Sequence, residues 1–244
     1  MSTDSRSCTD CVLLPMCRPA VVPVDELEHL AGSVLPRAPL KTGQYLFRAG
    51  SPCRSVFISQ SGTMKLVRVT EDGGEQLMGF YLPGELIGLE AMASKRFPYD
   101  AIAAEPALVC EVPIEALERV ARQKTSLQSQ LMRASGECIA REQTHIELLG
   151  KRLADERIAL FLIALVERSG KWVEDQHWFT LPLSRGEIGS YLHLTIETVS
   201  RAFTHLRDKA LIQTDGRKIR LLDVAALRRL AGTSLTSDRY GMTR

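Results

Sequence analysis

The sequence predicts an α+β chain: an N-terminal β-roll, one long helix, and a C-terminal helical section closed by a short hairpin. Three observations lead there. Short β-rich runs punctuated by glycine fill the stretch from about Leu40 to Val112. A stretch from Pro113 to Leu149 then carries no glycine except Gly136 and no further proline, and helix signals alternate with a hairpin from there to Gly232. The 244 residues suffice for two modest domains with separate cores, and 45% hydrophobic and 25% charged residues is the composition of a globular protein. The expected divisions are a cysteine-bearing segment 1–24, a β-roll 25–118, a long helix 119–150, a C-terminal domain 151–232 and a polar tail 233–244.

The N-terminal segment has three cysteines, three prolines and no periodicity, so something other than a core must organise it. It lacks the apolar stretch of a signal peptide, and no run approaches the ~18 apolar residues of a membrane span. The expected location is therefore cytoplasmic, with no membrane partner. In that reducing compartment clustered cysteines point to metal or redox chemistry before disulfides. Cys8, Cys11 and Cys17 form a C-x2-C-x5-C set, with Cys53, Cys110 and Cys138 as candidates for a fourth ligand. Four thiolates hold either zinc or an iron–sulfur cluster, and both stay open on spacing alone.

The roll is read from the runs Tyr45–Phe47, Ser55–Ser59, Thr63–Val69, Glu75–Tyr81 and Ala107–Val112, with turns at Gly43, Gly50, Gly62, Gly73, Gly74 and Gly84. In the long helix Leu127, Leu131, Met132, Cys138, Ile139, Ile146, Leu148 and Leu149 recur near coiled-coil spacing. They predict a homodimer through Leu131, Ser135, Ile139, Glu142, Ile146 and Leu149. Two Glu142 carboxylates facing each other would repel.

In the last section Leu153, Ile158, Phe161, Leu162 and Leu165 form an apolar helix face. Ser184 and Glu187 have capping-box spacing, a turn follows at His193–Leu194, and Thr195 is placed to cap a second helix. Val199, Phe203 and Leu206 line one side of that helix; Glu197, Ser200, Arg201 and Thr204 line the other. This is a helix–turn–helix presenting Glu197, Ser200 and Arg201 to the major groove of duplex DNA. Arg can donate twice to guanine, Glu can accept from cytosine, and Ser is adaptable. A hairpin turning at Asp215–Gly216 with Arg217, Lys218 and Arg220 adds a basic wing for phosphates. Residues 151–244 carry 16 Lys and Arg against 11 Asp and Glu, while residues 1–150 carry 15 against 18. The basic end is the end with the reading head. Five scattered histidines and the absence of a Gly-rich phosphate loop or nucleophile elbow argue against an enzyme.

The run Leu183–Phe203, LSRGEIGSYLHLTIETVSRAF, resembles the DNA-binding end of the CRP/FNR family of bacterial regulators. Ile196 before Glu197 is similar to the FNR branch; the cyclic-AMP receptor branch normally has Arg there. The resemblance extends from Cys8 to about Gly232. It implies a cyclic-nucleotide-binding-like jelly roll, a dimerisation helix and a winged helix–turn–helix. It also implies a palindrome of TTGAT and ATCAA separated by four bases, with Glu197, Ser200 and Arg201 making the base contacts. Ala107–Pro113, ALVCEVP, is similar to the part of FNR proteins that supplies the fourth ligand. The resemblance thus implies a [4Fe–4S] cluster on Cys8, Cys11, Cys17 and Cys110, and DNA binding under low oxygen. It further implies an acidic residue at Glu142 that keeps the cluster-free form monomeric. RNA polymerase is an implied partner through the turn Glu71–Gln76, where Gly74 replaces an acidic residue of FNR. The roll carries Gly84–Glu85–Leu86 and Gly88–Leu89, but Arg96–Ala101 lacks the Arg–Ser or Arg–Thr pair that holds a cyclic nucleotide, so none is expected. A zinc or thiol-redox regulator and a cyclic-nucleotide-responsive one are the alternatives.

Overall fold

The computed structural model describes residues 34–123, 125–169 and 178–232. The chain divides into two compact units, residues 1–141 and 142–244, with the division inside the long helix.

Among the described residues of the first unit, eight strands form two four-stranded sheets. They are β1 (Leu35–Pro36), β2 (Tyr45–Phe47), β3 (Ser55–Ser61), β4 (Met64–Val69), β5 (Glu75–Tyr81), β6 (Leu86–Ile87), β7 (Asp100–Ala103) and β8 (Leu108–Pro113). One sheet has the order β1-β8-β3-β6, the other β2-β7-β4-β5, and all pairings are antiparallel. Phe47, Phe57, Met64, Leu66, Ile87, Phe97 and Val109 fill the space between them. A second cluster, Val56, Ile58, Leu86 and Val112, lies on the outer face of the first sheet. There it is covered by Leu117 and Val120 of α1 (Ile114–Gln123) and Leu127 of α2 (Thr125–Gly150). Apolar cover on both faces explains why Val56, Phe57 and Ile58 of β3 run without polar alternation.

In the second unit α3 (Ala154–Arg168) buries Ile158, Phe161, Leu162 and Leu165. It packs on α5 (Ile196–Asp208) and α6 (Val224–Ala231). Leu153, read as part of that face, precedes the helix and is exposed: its amide donates to Glu156, so it serves as the boundary residue. Between α3 and α5 lie β9 (Phe179–Thr180) and α4 (Arg185–Leu192). The hairpin of β10 (Ile212–Asp215) and β11 (Lys218–Leu221) pairs through β11 with β9, completing a three-stranded wing. No helix among the described residues is long and apolar enough to cross a membrane.

Candidate nucleic-acid interface

The helix–turn–helix is locked by its own side chains. The Ser184 hydroxyl accepts from the Glu187 amide at 3.2 Å, and the Glu187 carboxylate accepts from the Ser184 amide at 2.8 Å. Two free amides at the start of α4 are thereby satisfied. The helix stops at His193, whose backbone is left-handed with φ 53°. Gly189 lets the turn close, because a Cβ there would stand 2.6 Å from the Leu194 carbonyl oxygen. Thr195 then caps α5, its hydroxyl accepting from the Thr198 amide at 3.2 Å.

On α5 Val199, Ala202, Phe203 and Leu206 are buried. The large ones contribute roughly 1.5–3 kcal/mol each to holding the helix on the domain. Glu197, Ser200, Arg201 and Thr204 are exposed on the opposite side. The Glu197 carboxyl is held below its usual range by its own backbone amide at the helix start, then by the Thr195 hydroxyl, with Arg201 one turn on adding a favourable charge. The head therefore presents an anion and a cation side by side near its N-terminus.

Tertiary packing adds one residue that spacing did not reveal. The Arg185 guanidinium lies 3.2 Å over the Phe203 ring, and burial pushes it down to about 10. The wing also differs from the simple basic hairpin expected. Arg217 donates to the Leu181 carbonyl at 2.7 Å, and the Arg220 guanidinium donates to Gln213 and lies 5.5 Å from the Trp178 ring. Arg217 and Lys218 are both exposed at the tip, and Lys218 lies outside those contacts.

On α2 a row of exposed apolar side chains recurs at seven-residue steps: Met132 is 72% exposed, Ile139 59% and Ile146 70%. Ser135, Glu142 and Leu149 interleave with them, Glu142 exposed and the other two half-buried. Leu131 departs from this row. It is half-buried and packs with Leu127 against the outer cluster of the roll, and Met132 takes the exposed position.

Cys8, Cys11 and Cys17 lie outside the described residues, as do segment 1–24 and the tail 233–244 as wholes. Cys110 is buried on β8, opposite Pro36 of β1 and Ile58 of β3. Its register places it on the sheet face shared with Ile58 and Val112, the face that α1 covers. β1, the first strand among the described residues, is thus the neighbour of the strand carrying Cys110. Cys53 belongs instead to the core between the sheets, its thiol 3.7 Å from the Ser55 carbonyl; burial pushes that thiol up, and Glu90 adds to the effect. Cys138 is half-buried on α2. Cys110 is the member of the expected four-thiolate set that lies within the described residues, buried on a strand paired with β1.

The roll interior is occupied by aromatic rings. Phe47 and Phe97 stack at 3.7 Å, with Phe57 5.7 Å from the first. Arg96 donates to the Gly50 carbonyl at 2.6 Å, buried Asp100 accepts from the Ala49 amide at 2.6 Å, and Glu85 pairs with Arg141 at 3.7 Å.

The sequence model of the cyclic nucleotide-binding domain matches residues 37–124, and that of the Crp-like helix-turn-helix domain matches residues 156–230. The chain is 42% identical over 228 residues to the transcriptional activator protein Anr of Pseudomonas aeruginosa, covering 93% of each chain. It is 36% identical over 225 residues to the fumarate and nitrate reduction regulatory protein of Escherichia coli, covering 92% of this chain and 90% of that one. Among solved structures it resembles FixK2 from Bradyrhizobium japonicum, with a TM-score of 0.73 and 27% identity over 82% of this chain and 98% of that one.

Proposed function

The chain belongs to the CRP/FNR family of transcription regulators, in its FNR-type branch, and from that premise we propose an oxygen-responsive transcriptional activator. Under low oxygen it binds, as a homodimer, a palindrome of TTGAT and ATCAA half-sites four bases apart. Cys8, Cys11, Cys17 and Cys110 hold a [4Fe–4S] cluster. Its domains and relatives are those of DNA-binding regulators and not of enzymes.

The observation that carries the DNA reading is the exposed Glu197–Ser200–Arg201 face at the N-terminal half of a capped helix whose other face is buried. Arg201 is in place to donate to guanine, Glu197 to accept from a cytosine amino group, and Lys218 to meet phosphate. The exposed Met132–Ile139–Ile146 row supports the dimer, because large apolar side chains repeated along one helix face favour burial against a partner. Glu142 in the same row makes that burial costly until the two helices are correctly placed. The buried position of Cys110 beside β1 supports its choice as fourth ligand. When bound, the cluster supplies an oxygen-labile anchor for the N-terminal segment. The aromatic filling of the roll, with Arg96 and Glu85 already engaged, supports a scaffold with no cyclic nucleotide. RNA polymerase remains the partner proposed for the Glu71–Gln76 turn, on the strength of the relatives being activators.

The test is anaerobic purification with a visible spectrum and iron and sulfide analysis, paired with binding to the palindrome before and after exposure to air. Four iron atoms per chain and air-sensitive binding are expected. A colourless protein with one zinc would overturn the sensor reading and leave the DNA reading standing.

A further inference from the structure

The C-terminal end of α4, where the helix–turn–helix makes its turn, has carbonyl groups with no partner inside the helix. Two side chains from outside the motif take them. His145, on α2, meets the Tyr191 carbonyl through Nε2 at 2.8 Å; because a carbonyl only accepts, that nitrogen carries the proton. Arg157, on α3, donates from Nη1 to the Leu192 carbonyl at 3.0 Å. Its Nε donates to the Lys151 carbonyl, just past the end of α2, also at 3.0 Å. One guanidinium therefore ties the residue that follows the long helix to the last residue of α4. Ring packing reinforces the tie: His145 stacks on Tyr191 at 4.0 Å with 8° between planes, and Phe161 meets Tyr191 edge-on at 6.2 Å.

We infer that His145 and Arg157 are positioning residues for DNA recognition, which fix the direction of the recognition helix relative to the C-terminal end of the dimerisation helix. Neither lies on the exposed face of α5, so neither is a candidate for base contact. Their fixed reach matters more than their charge. The planar Arg fork serves two carbonyls at once, which one flexible Lys ammonium does not reproduce at the same geometry. If the head is held rigidly to the helix that pairs the subunits, the separation of the two half-sites is held too. This rests on the proposed palindrome and dimer, and it adds the element that sets the spacing.

The test uses the full-length protein, purified without oxygen, on duplex probes whose half-sites are separated by three, four or five base pairs. A second set of probes carries a changed base within a half-site. Arg157→Ala and His145→Ala are expected to reduce the preference for the four-base spacing by about tenfold, the scale of one lost charge-assisted hydrogen bond. The penalty for the changed base should stay as in the unaltered protein. His145→Gln, which keeps an N–H donor, should regain most of the preference. Should the alanine variants not fold, Arg157→Lys and His145→Gln carry the comparison, with Arg157→Lys showing the broadened spacing and His145→Gln keeping it narrow. Equal loss on all three spacings, or an unchanged preference, would overturn the inference. Failure of the unaltered protein to discriminate the changed base would instead overturn the palindrome reading.

Discussion

At the scale of single residues, the second helix of the helix–turn–helix separates exposed polar groups from groups that hold it to the domain. Arg201 is exposed with its guanidinium free of the core, while Arg185, the first residue of α4 after the Ser184 cap, rests on Phe203. Arg201→Ala should lose discrimination at the guanine by ~1–3 kcal/mol, measured as the difference in affinity between intact and guanine-substituted half-sites. A uniform loss across all probes would make it a phosphate contact. Glu197 gives a pH signature. Its folded carboxyl titrates below the ordinary value, so the stability it lends is present above the unfolded pKa of about 4 and is lost as pH falls through the depressed folded one. Glu197→Gln should therefore melt lower than the unaltered chain at pH 7, with the gap closing in acid below about pH 4; a gap that is flat with pH would refute the assignment.

At the scale of elements, α2, the helix proposed to pair two subunits, carries its own conflict. Exposed Met132, Ile139 and Ile146 favour a partner helix, and Glu142 between them opposes one. Glu142→Ala should shift the cluster-free protein from monomer to dimer in sizing experiments performed in air; an unchanged monomer would exclude Glu142 from the seam. The elements were legible in the sequence wherever their determinants are local. The Ser184–Glu187 box, the Thr195 cap and the Val199–Phe203–Leu206 stripe involve residues within one or two turns of each other, and their spacing states the contact directly. The seven-residue apolar period of α2 was legible in the sequence; which of Leu131 and Met132 the roll covers was not. Leu131 and Met132 are neighbours about 100° apart on a helix, and the choice between them is made by the roll packing against one side. Strands β1, β6 and β7 escaped notice because two to four residues carry too little pattern, and pairing partners distant in sequence define them. Arg157 and His145 escaped for the same reason: their acceptors are backbone carbonyls, which no side-chain motif records.

At the scale of the whole molecule, the cysteines divide by where the sheets leave them. Cys53 is enclosed by the inter-sheet core, and Cys110 lies on the outer face beside the incoming strand. Cys110→Ala should abolish iron retention in anaerobic preparations, whereas Cys53→Ala should retain iron and lose only the modest stability of a small core cavity. Equal iron in both variants would remove Cys110 from the ligand set. The choice of Cys110 came from the likeness of ALVCEVP to other chains, since spacing by itself left three candidates. Strand β8 passes from Cys110 through Pro113 straight into α1 at Ile114, and Val112, Leu117, Val120 and Leu127 share one apolar cluster. There is no slack between the thiol and the first turn of the helix. A displacement at Cys110 is transmitted as from the short arm of a stiff lever, without a loop to absorb it. With Cys110 in the proposed ligand set, the response time should follow the chemistry at the cluster thiolates, with little added by rearrangement of the roll.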